Sequence, residues 1–222
     1  MNIMNMQNRS GILEVTRRGT VFILSSPSGA GKTTLVKYLL SNDRDLRLSV
    51  SVTTRQPRKS EIDGRDYHFV DQELFQKMVD TNNFLEYAGV FGNYYGTPEK
   101  PVEQWLTAGL DVLFDVDWQG AQQLSQHIEH NIVSIFILPP TMKSLRDRLK
   151  KRGQDSDSCV AERMNKACNE ICHWAEYDYI IINDDISASQ ESLLSILKAE
   201  RIKRQTQIGL TDFVRALIQD VP

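Results

Sequence analysis

Cysteine is scarce. The 222 residues contain three, Cys159, Cys168 and Cys172, too few for a disulfide framework in a chain this long and suited to a reducing compartment. Cys168 and Cys172 stand four apart, beside His173. A helix would place them on one face, where a pair of small buried thiols is the expectation rather than a metal site. An excess of charge of one sign is also missing. Lys and Arg total 26 against 29 Asp and Glu, a formal net charge of −3, so nothing global points to nucleic acid or an anionic membrane, and any anion site must be local. Long apolar runs are absent as well. The longest, Ile132–Leu138, has the length of a strand and falls far short of the roughly 18 residues of a membrane-spanning helix. The opening stretch, MNIMNMQNRSGILEVTRRGT, has no apolar signal core and no small-residue cleavage site. These absences together lead us to expect a soluble cytoplasmic protein with a loosely ordered extension over residues 1–19, partnered by neither nucleic acid nor membrane. Oligomeric state is left open.

The remainder is ordinary globular material, 41% hydrophobic and 25% charged, enough for a sizeable core. Val21–Leu24 is a short apolar run that stops at Ser25-Ser26-Pro27. A Gly-rich turn follows, then a helical pattern carrying Leu35, Leu39 and Leu40. The alternation returns three times. A strand over 111–116 precedes a helix over 117–127. Ile132–Leu138 precedes a charged helix from Thr141. Tyr179–Ile182 precedes a helix with Leu193, Leu194 and Leu197 on one face. Continuous apolar strands between helices predict an α/β fold with a parallel sheet covered on both faces. Two stretches break the rhythm. Residues 51–97 read as a small antiparallel insert and residues 141–170 as a mobile helical flap, either pieces that close over ligands or decoration on a rigid fold. Leu210, Phe213, Leu217 and Ile218 lie at helical spacing in a final segment, 205–222, expected to pack on its own core.

Ser26-Pro27-Ser28-Gly29-Ala30-Gly31-Lys32-Thr33 matches the phosphate loop G-x-x-x-x-G-K-[ST] except at its first position, where Ser26 replaces Gly. Gly29 and Gly31 let backbone N–H groups turn inward around phosphate oxygens, and the helix that follows points its positive end at the anion. Lys32 would reach the β and γ phosphates, and the Thr33 hydroxyl would hold Mg²⁺. A strand before and a helix after satisfy the context the motif requires. Asp115, closing an apolar strand, is placed to hold Mg²⁺, usually through water. Asp117 could cap the next helix.

Thr53-Thr54-Arg55-Gln56-Pro57-Arg58 sets two guanidinium forks around a proline, a pattern suited to phosphate oxygens. Tyr67, Glu86 and Gly92-Asn93-Tyr94-Tyr95-Gly96-Thr97 follow. These runs, with Asp115-Val116-Asp117-Trp118-Gln119-Gly120, Phe136-Ile137-Leu138-Pro139-Pro140, Arg148-Leu149-Lys150-Lys151-Arg152-Gly153 and Asn183-Asp184-Asp185, resemble guanylate kinase of the bacterial type over roughly residues 20–204. The resemblance implies a P-loop core, a GMP-binding insert near 51–97, a lid near 141–170, and transfer of the γ-phosphoryl of ATP to GMP with Mg²⁺. It implies that the loop and its flanks, Ser25 to Thr34, hold ATP, with Asn183 near the adenosine. Arg55, Arg58, Tyr67 and Tyr95 would grip the GMP phosphate. Ser51, Glu86, Thr97 and Asp117 would face or approach the guanine. Arg148, Arg152 and Arg163 would reach the transferring phosphates. The base choice has a physical rationale. Guanine offers two adjacent donors, N1–H and the N2 amine, to a carboxylate such as Glu86, whereas adenine leaves that charge unsatisfied.

Two rivals differ in class from this reading or in acceptor. A guanylate-kinase-like binding module that has lost turnover is opposed by the intact Lys32, Thr33, Arg148 and Arg152. A P-loop kinase for another small phosphorylated acceptor is opposed by Glu86 and the Tyr94-Tyr95 segment. The four histidines, His68, His127, His130 and His173, are scattered and read as surface or packing residues.

Overall fold

The computed structural model describes residues 15–219 except 59–60, 91, 129–130 and 152–156. Five parallel strands build the central sheet: β2 (Val21–Ser25), β3 (Leu46–Leu48), β8 (Asp111–Asp115), β9 (Ile132–Leu138) and β10 (Tyr179–Ile182), in the order β10-β9-β2-β8-β3. Successive side chains of β2 point to opposite faces, and both faces are covered. Phe22 and Leu24 pack with Leu35, Val36 and Leu39 of α1 (Lys32–Asn42) and with Leu193 and Leu197 of α7 (Ile186–Arg201). Val21 and Ile23 pack with Val102 and Leu106 of α3 (Glu99–Thr107) and Ala121 and Leu124 of α4 (Trp118–His127). That two-sided burial is why β2, β8 and β9 read as unbroken apolar runs rather than alternating ones, whereas the edge strand β10 leaves Ile180 and Ile182 exposed.

The insert is a four-stranded sheet with order β5-β4-β7-β6, made of β4 (Val52–Thr53), β5 (His68–Phe69), β6 (Phe84–Val90) and β7 (Asn93–Pro98). It is antiparallel along β4, β7 and β6, while the short outer pair β4–β5 runs parallel. Helix α2 (Gln72–Asp80) is capped by Asp71, whose side chain accepts from Leu74 N. The expected flap is two helices, α5 (Met142–Lys151) and α6 (Asp157–Ile171), packed through Leu145, Leu149, Val160, Met164 and Ala167.

Three expectations need correction. Residues 15–19 are not a loose extension. β1 (Thr16–Arg17) pairs antiparallel with β11 (Gln207–Ile208), and Arg17 donates to the fully buried Asp111, which also accepts from Arg201 Nε at 2.6 Å and Thr20 N at 2.8 Å. The C-terminal helix α8 (Leu210–Gln219) covers its apolar face only in part: Leu210 and Phe213 are half-buried, while Leu217 and Ile218 are exposed. Cys168 and Cys172 are free and exposed rather than buried, since the inward stripe of α6 belongs to Val160, Met164 and Ala167. Among the described residues no group of His, Cys, Asp and Glu is arranged to hold a metal ion by itself, and no helix is long and apolar enough to cross a membrane.

Candidate active site

Parallel strands deliver their following loops to one edge of the sheet, so the loops after β2, β8, β9 and β10 meet at their carboxyl ends. The loop after β2 is the phosphate loop. Gly29 and Gly31 have φ of 92° and 106°, backbone that L side chains rarely adopt. Space for a side chain is short too. A Cβ on Gly31 would sit 2.4 Å from Asn183 Nδ2, and one on Gly29 would sit 3.0 Å from Leu149 Cδ2. Thr33 and Thr34 are exposed in the first turn of α1. Ser25 is fully buried, Ser26 Oγ donates to Pro27 O at 3.1 Å, and Ser28 is exposed at the rim.

β2 lies beside β8 with Leu24 opposite Asp115. That register carries Asp115 to the phosphate loop, where Lys32 Nζ is 2.6 Å from Asp115 Oδ1 and donates to Val116 O at 2.9 Å. Asp117 is the N-cap of α4, accepting from Gly120 N at 2.9 Å.

Asn183 follows directly on β10 and is buried under the loop. Its Nδ2 donates to Ala30 O at 2.7 Å, and its Oδ1 accepts from Ser189 Oγ at 3.1 Å. Both ends of the amide are therefore engaged in shaping the loop. Arg148 of α5 joins it, with Nη1 donating to Ala30 O at 3.2 Å and Nη2 to Asn183 O at 3.0 Å. The guanidinium already stands at the phosphate loop. Arg163 is half-buried on α6, and Arg152 lies outside the described residues.

A cavity of about 340 Å³ opens between the insert and the end of β8, lined by Ser51, Tyr67, Glu86, Ala88, Tyr95, Asp115, Val116, Asp117 and Gly120. Five residues assigned to the acceptor from sequence line it, together with the proposed metal ligand. Glu86 is 7% exposed and accepts from Thr97 Oγ1 at 2.6 Å. The two are cross-strand partners in β6 and β7. Burial pushes the Glu86 carboxyl above the usual carboxylate range, the Thr97 hydroxyl opposes this, and Asp117 adds to the rise. Tyr67 and Tyr95 meet edge to face at 6.0 Å, and the Arg55 guanidinium stands 5.3 Å from the Tyr67 ring centroid. Burial raises the Tyr67 phenol.

Sequence reading missed Glu61. Its carboxylate accepts from Arg55 Nη2 at 2.8 Å and from Arg58 N at 2.8 Å. Arg55 holds the Glu61 carboxyl below its ordinary range, and Glu61 raises Arg55 in return. The two meet across a turn in which Glu61 N donates to Arg58 O, outside any helix or strand, so no periodic sequence signal marked it. Arg58 is largely exposed. Glu170 was also missed. It accepts from Ser28 N at 3.2 Å and stands seven residues after Arg163, a helical spacing that was available in the sequence.

The family model of guanylate kinase matches residues 18–200. The chain belongs to the guanylate kinase family. A guanylate kinase of Sphingopyxis alaskensis is 56% identical over 210 residues, 95% of this chain and 96% of the relative. One from Nitrobacter winogradskyi is 56% identical over 203 residues, 91% and 93% of the two chains. The crystal structure of guanylate kinase from Anaplasma phagocytophilum superposes with a TM-score of 0.75 at 38% identity, covering 94% of this chain and 97% of that one. The guanylate kinase architecture thus accounts for the parallel core, the mixed insert and the helical pair around the phosphate loop.

Proposed function

We propose that this protein is a guanylate kinase that transfers the γ-phosphoryl group of ATP to GMP, yielding ADP and GDP in the cytoplasm. The observation that carries the acceptor assignment is Glu86, a buried carboxylate braced by Thr97 in a cavity whose far wall is Asp115, beside Lys32. One cavity therefore joins a base-reading carboxylate to the phosphate loop. The Glu86 oxygens accept from guanine N1–H and N2, with Ser51, Thr97 and the neighbouring Asp117 completing the polar wall. Arg55, Arg58, Tyr67 and Tyr95 grip the GMP phosphate, Glu61 aiming the Arg55 fork. The phosphate loop from Ser25 to Thr34 holds ATP, and Asn183 supports that loop at the adenosine side.

An oxygen of the GMP phosphate attacks the γ phosphorus in line. The bond to the β-bridging oxygen breaks, and ADP leaves. The acceptor oxygen is already anionic, so no strong general base is required, and catalysis consists of positioning and charge neutralisation. Lys32, Arg148, Arg152 and Arg163 take up that charge. The Thr33 hydroxyl and Asp115 carboxylate are hard oxygen donors of the kind Mg²⁺ accepts alongside phosphate oxygens. Bound there, Mg²⁺ would neutralise charge on the β and γ phosphates.

Purified protein with ATP, Mg²⁺ and one of GMP, AMP, CMP or UMP tests the reading by ADP release. ADP formed at the highest kcat/KM with GMP is the expected result. Equal use of AMP, or no turnover with GMP, rejects it.

A further inference from the structure

Two helices of the lid pair hold the phosphate loop at positions two residues apart. From α5, Arg148 donates to Ala30 O. From α6, Glu170 accepts from Ser28 N at 3.2 Å. Ser28 is exposed and precedes the glycine turn, so Glu170 grips the rim of the loop rather than filling its floor. Just beyond α6, burial raises the Tyr177 hydroxyl to about 12. The C-terminal end of α6 is thus tied to the loop at Ser28.

Arg163 and Glu170 are seven residues apart on α6. Two helical turns put them on the same face, about 10 Å apart along the axis, flanking the stripe of Val160, Met164 and Ala167 that packs on α5. Apolar packing of that kind sets the distance between helices but tolerates sliding along the axis. A directional hydrogen bond at one end removes that freedom.

We propose that Glu170 is a positioning residue for phosphoryl transfer, whose bond to the Ser28 N–H fixes the axial register of α6 on the phosphate loop and so sets where Arg163 meets the transferring phosphates. This rests on the assignment of Arg163 to those phosphates. Glu170 itself touches neither nucleotide. Its carboxylate sits near Lys32 and Asp117, and burial raises it above the usual carboxylate range, so a neutral acceptor of the same shape can take its place.

The test is steady-state kinetics of the full chain with ATP, Mg²⁺ and GMP for E170A, E170Q, R163A and the double variant E170A/R163A, with thermal melting of each. E170A is expected to lower kcat about tenfold with KM for GMP within about twofold, because the lost contact counts in the transition state. E170Q keeps an acceptor oxygen and should remain within about threefold of wild type. In the R163A background the E170A loss should shrink below about twofold, since two residues acting as one unit are not additive. If E170A does not fold, Glu170→Asp replaces it with the same expectations, its carboxylate falling one methylene short of Ser28. The inference is overturned if E170Q falls as far as E170A, which makes charge rather than the bond the requirement. It is also overturned if R163A is slow and E170A costs its full factor on top. If R163A keeps the wild-type kcat, the underlying reading of Arg163 fails and takes the inference with it.

Discussion

Lys32 Nζ lies 2.6 Å from Asp115 Oδ1, an ion pair between the first residue of α1 and the last residue of β8. It joins the lysine proposed for the β and γ phosphates to the carboxylate proposed for the metal. Both side chains are partly shielded, at 19% and 33% exposure. The neighbouring register of β2 and β8 puts them there, and the same register closes the acceptor cavity against the phosphate loop.

Lys32→Ala is expected to lower kcat by on the order of 10²-fold or more, the scale of losing one preorganised charge contact. Melting should change little, because the ammonium meets Asp115 and Val116 O at the loop edge rather than in the core. Kinetics and a melting curve on the same preparation check both halves. Near-normal turnover in a folded variant removes Lys32 from the chemistry.

Glu86→Gln separates base recognition from stability. The amide keeps an acceptor for Thr97 Oγ1 but presents one donor to guanine, so kcat/KM for GMP should fall by roughly 2–4 kcal/mol in transition-state terms, with ATP affinity unchanged. The folded Glu86 carboxyl is raised above its unfolded value. The folded state therefore binds the proton more tightly, and stability is lost as pH rises from the unfolded pKa through the folded one. E86Q, which never ionises, should melt higher than wild type at neutral pH and lose that advantage at pH below the unfolded carboxylate range. A melting difference independent of pH would contradict this.

Arg55 and Arg148 should divide their effects. Arg55 is held in the insert by Glu61 and stands over Tyr67, so under the proposed reading it would meet GMP in the ground state. Arg55→Ala should raise KM for GMP by about 10²-fold. Arg148 donates to the carbonyls of Ala30 and Asn183 at the donor site. Arg148→Ala should depress kcat while direct titration of GMP without ATP stays at the wild-type affinity. The reverse pattern would exchange their roles.

Asp111 is the structural counterpart of these residues. Its buried carboxylate gathers Arg17, Arg201 and the Thr20 N–H, and Arg201 continues to Asp43 at 2.7 Å. One cluster thereby ties β1, β8, the end of α1 and α7. Asp111→Ala leaves two half-buried guanidinium groups with reduced compensation and should cost about 3–5 kcal/mol of unfolding free energy by urea titration. KM values measured well below the new melting point should be unaltered. A loss under about 1 kcal/mol would show the cluster to be dispensable.

What lies along the chain was legible in advance. The apolar runs of β2, β8, β9 and β10 announced a sheet buried on both faces. The contiguous loop from Ser26 to Thr33 announced its phosphate chemistry, because the strand, the glycines and the helix start that make such a loop are neighbours in sequence. Residues brought together across the fold were not legible from spacing. Glu86 meets Thr97 through the β6–β7 register, Asn183 reaches Ala30 from 153 positions away, and Arg148 from 118. Glu61 closes on Arg55, and Glu170 on Ser28, through turns and helix packing that no local period encodes. The amphipathic pattern of α8 was visible too, yet whether the core had room for its apolar face depended on which helices already covered the sheet. Local periodicity determines which elements form. Strand order, register and the filling of each sheet face are non-local, settled only when the whole core packs at once.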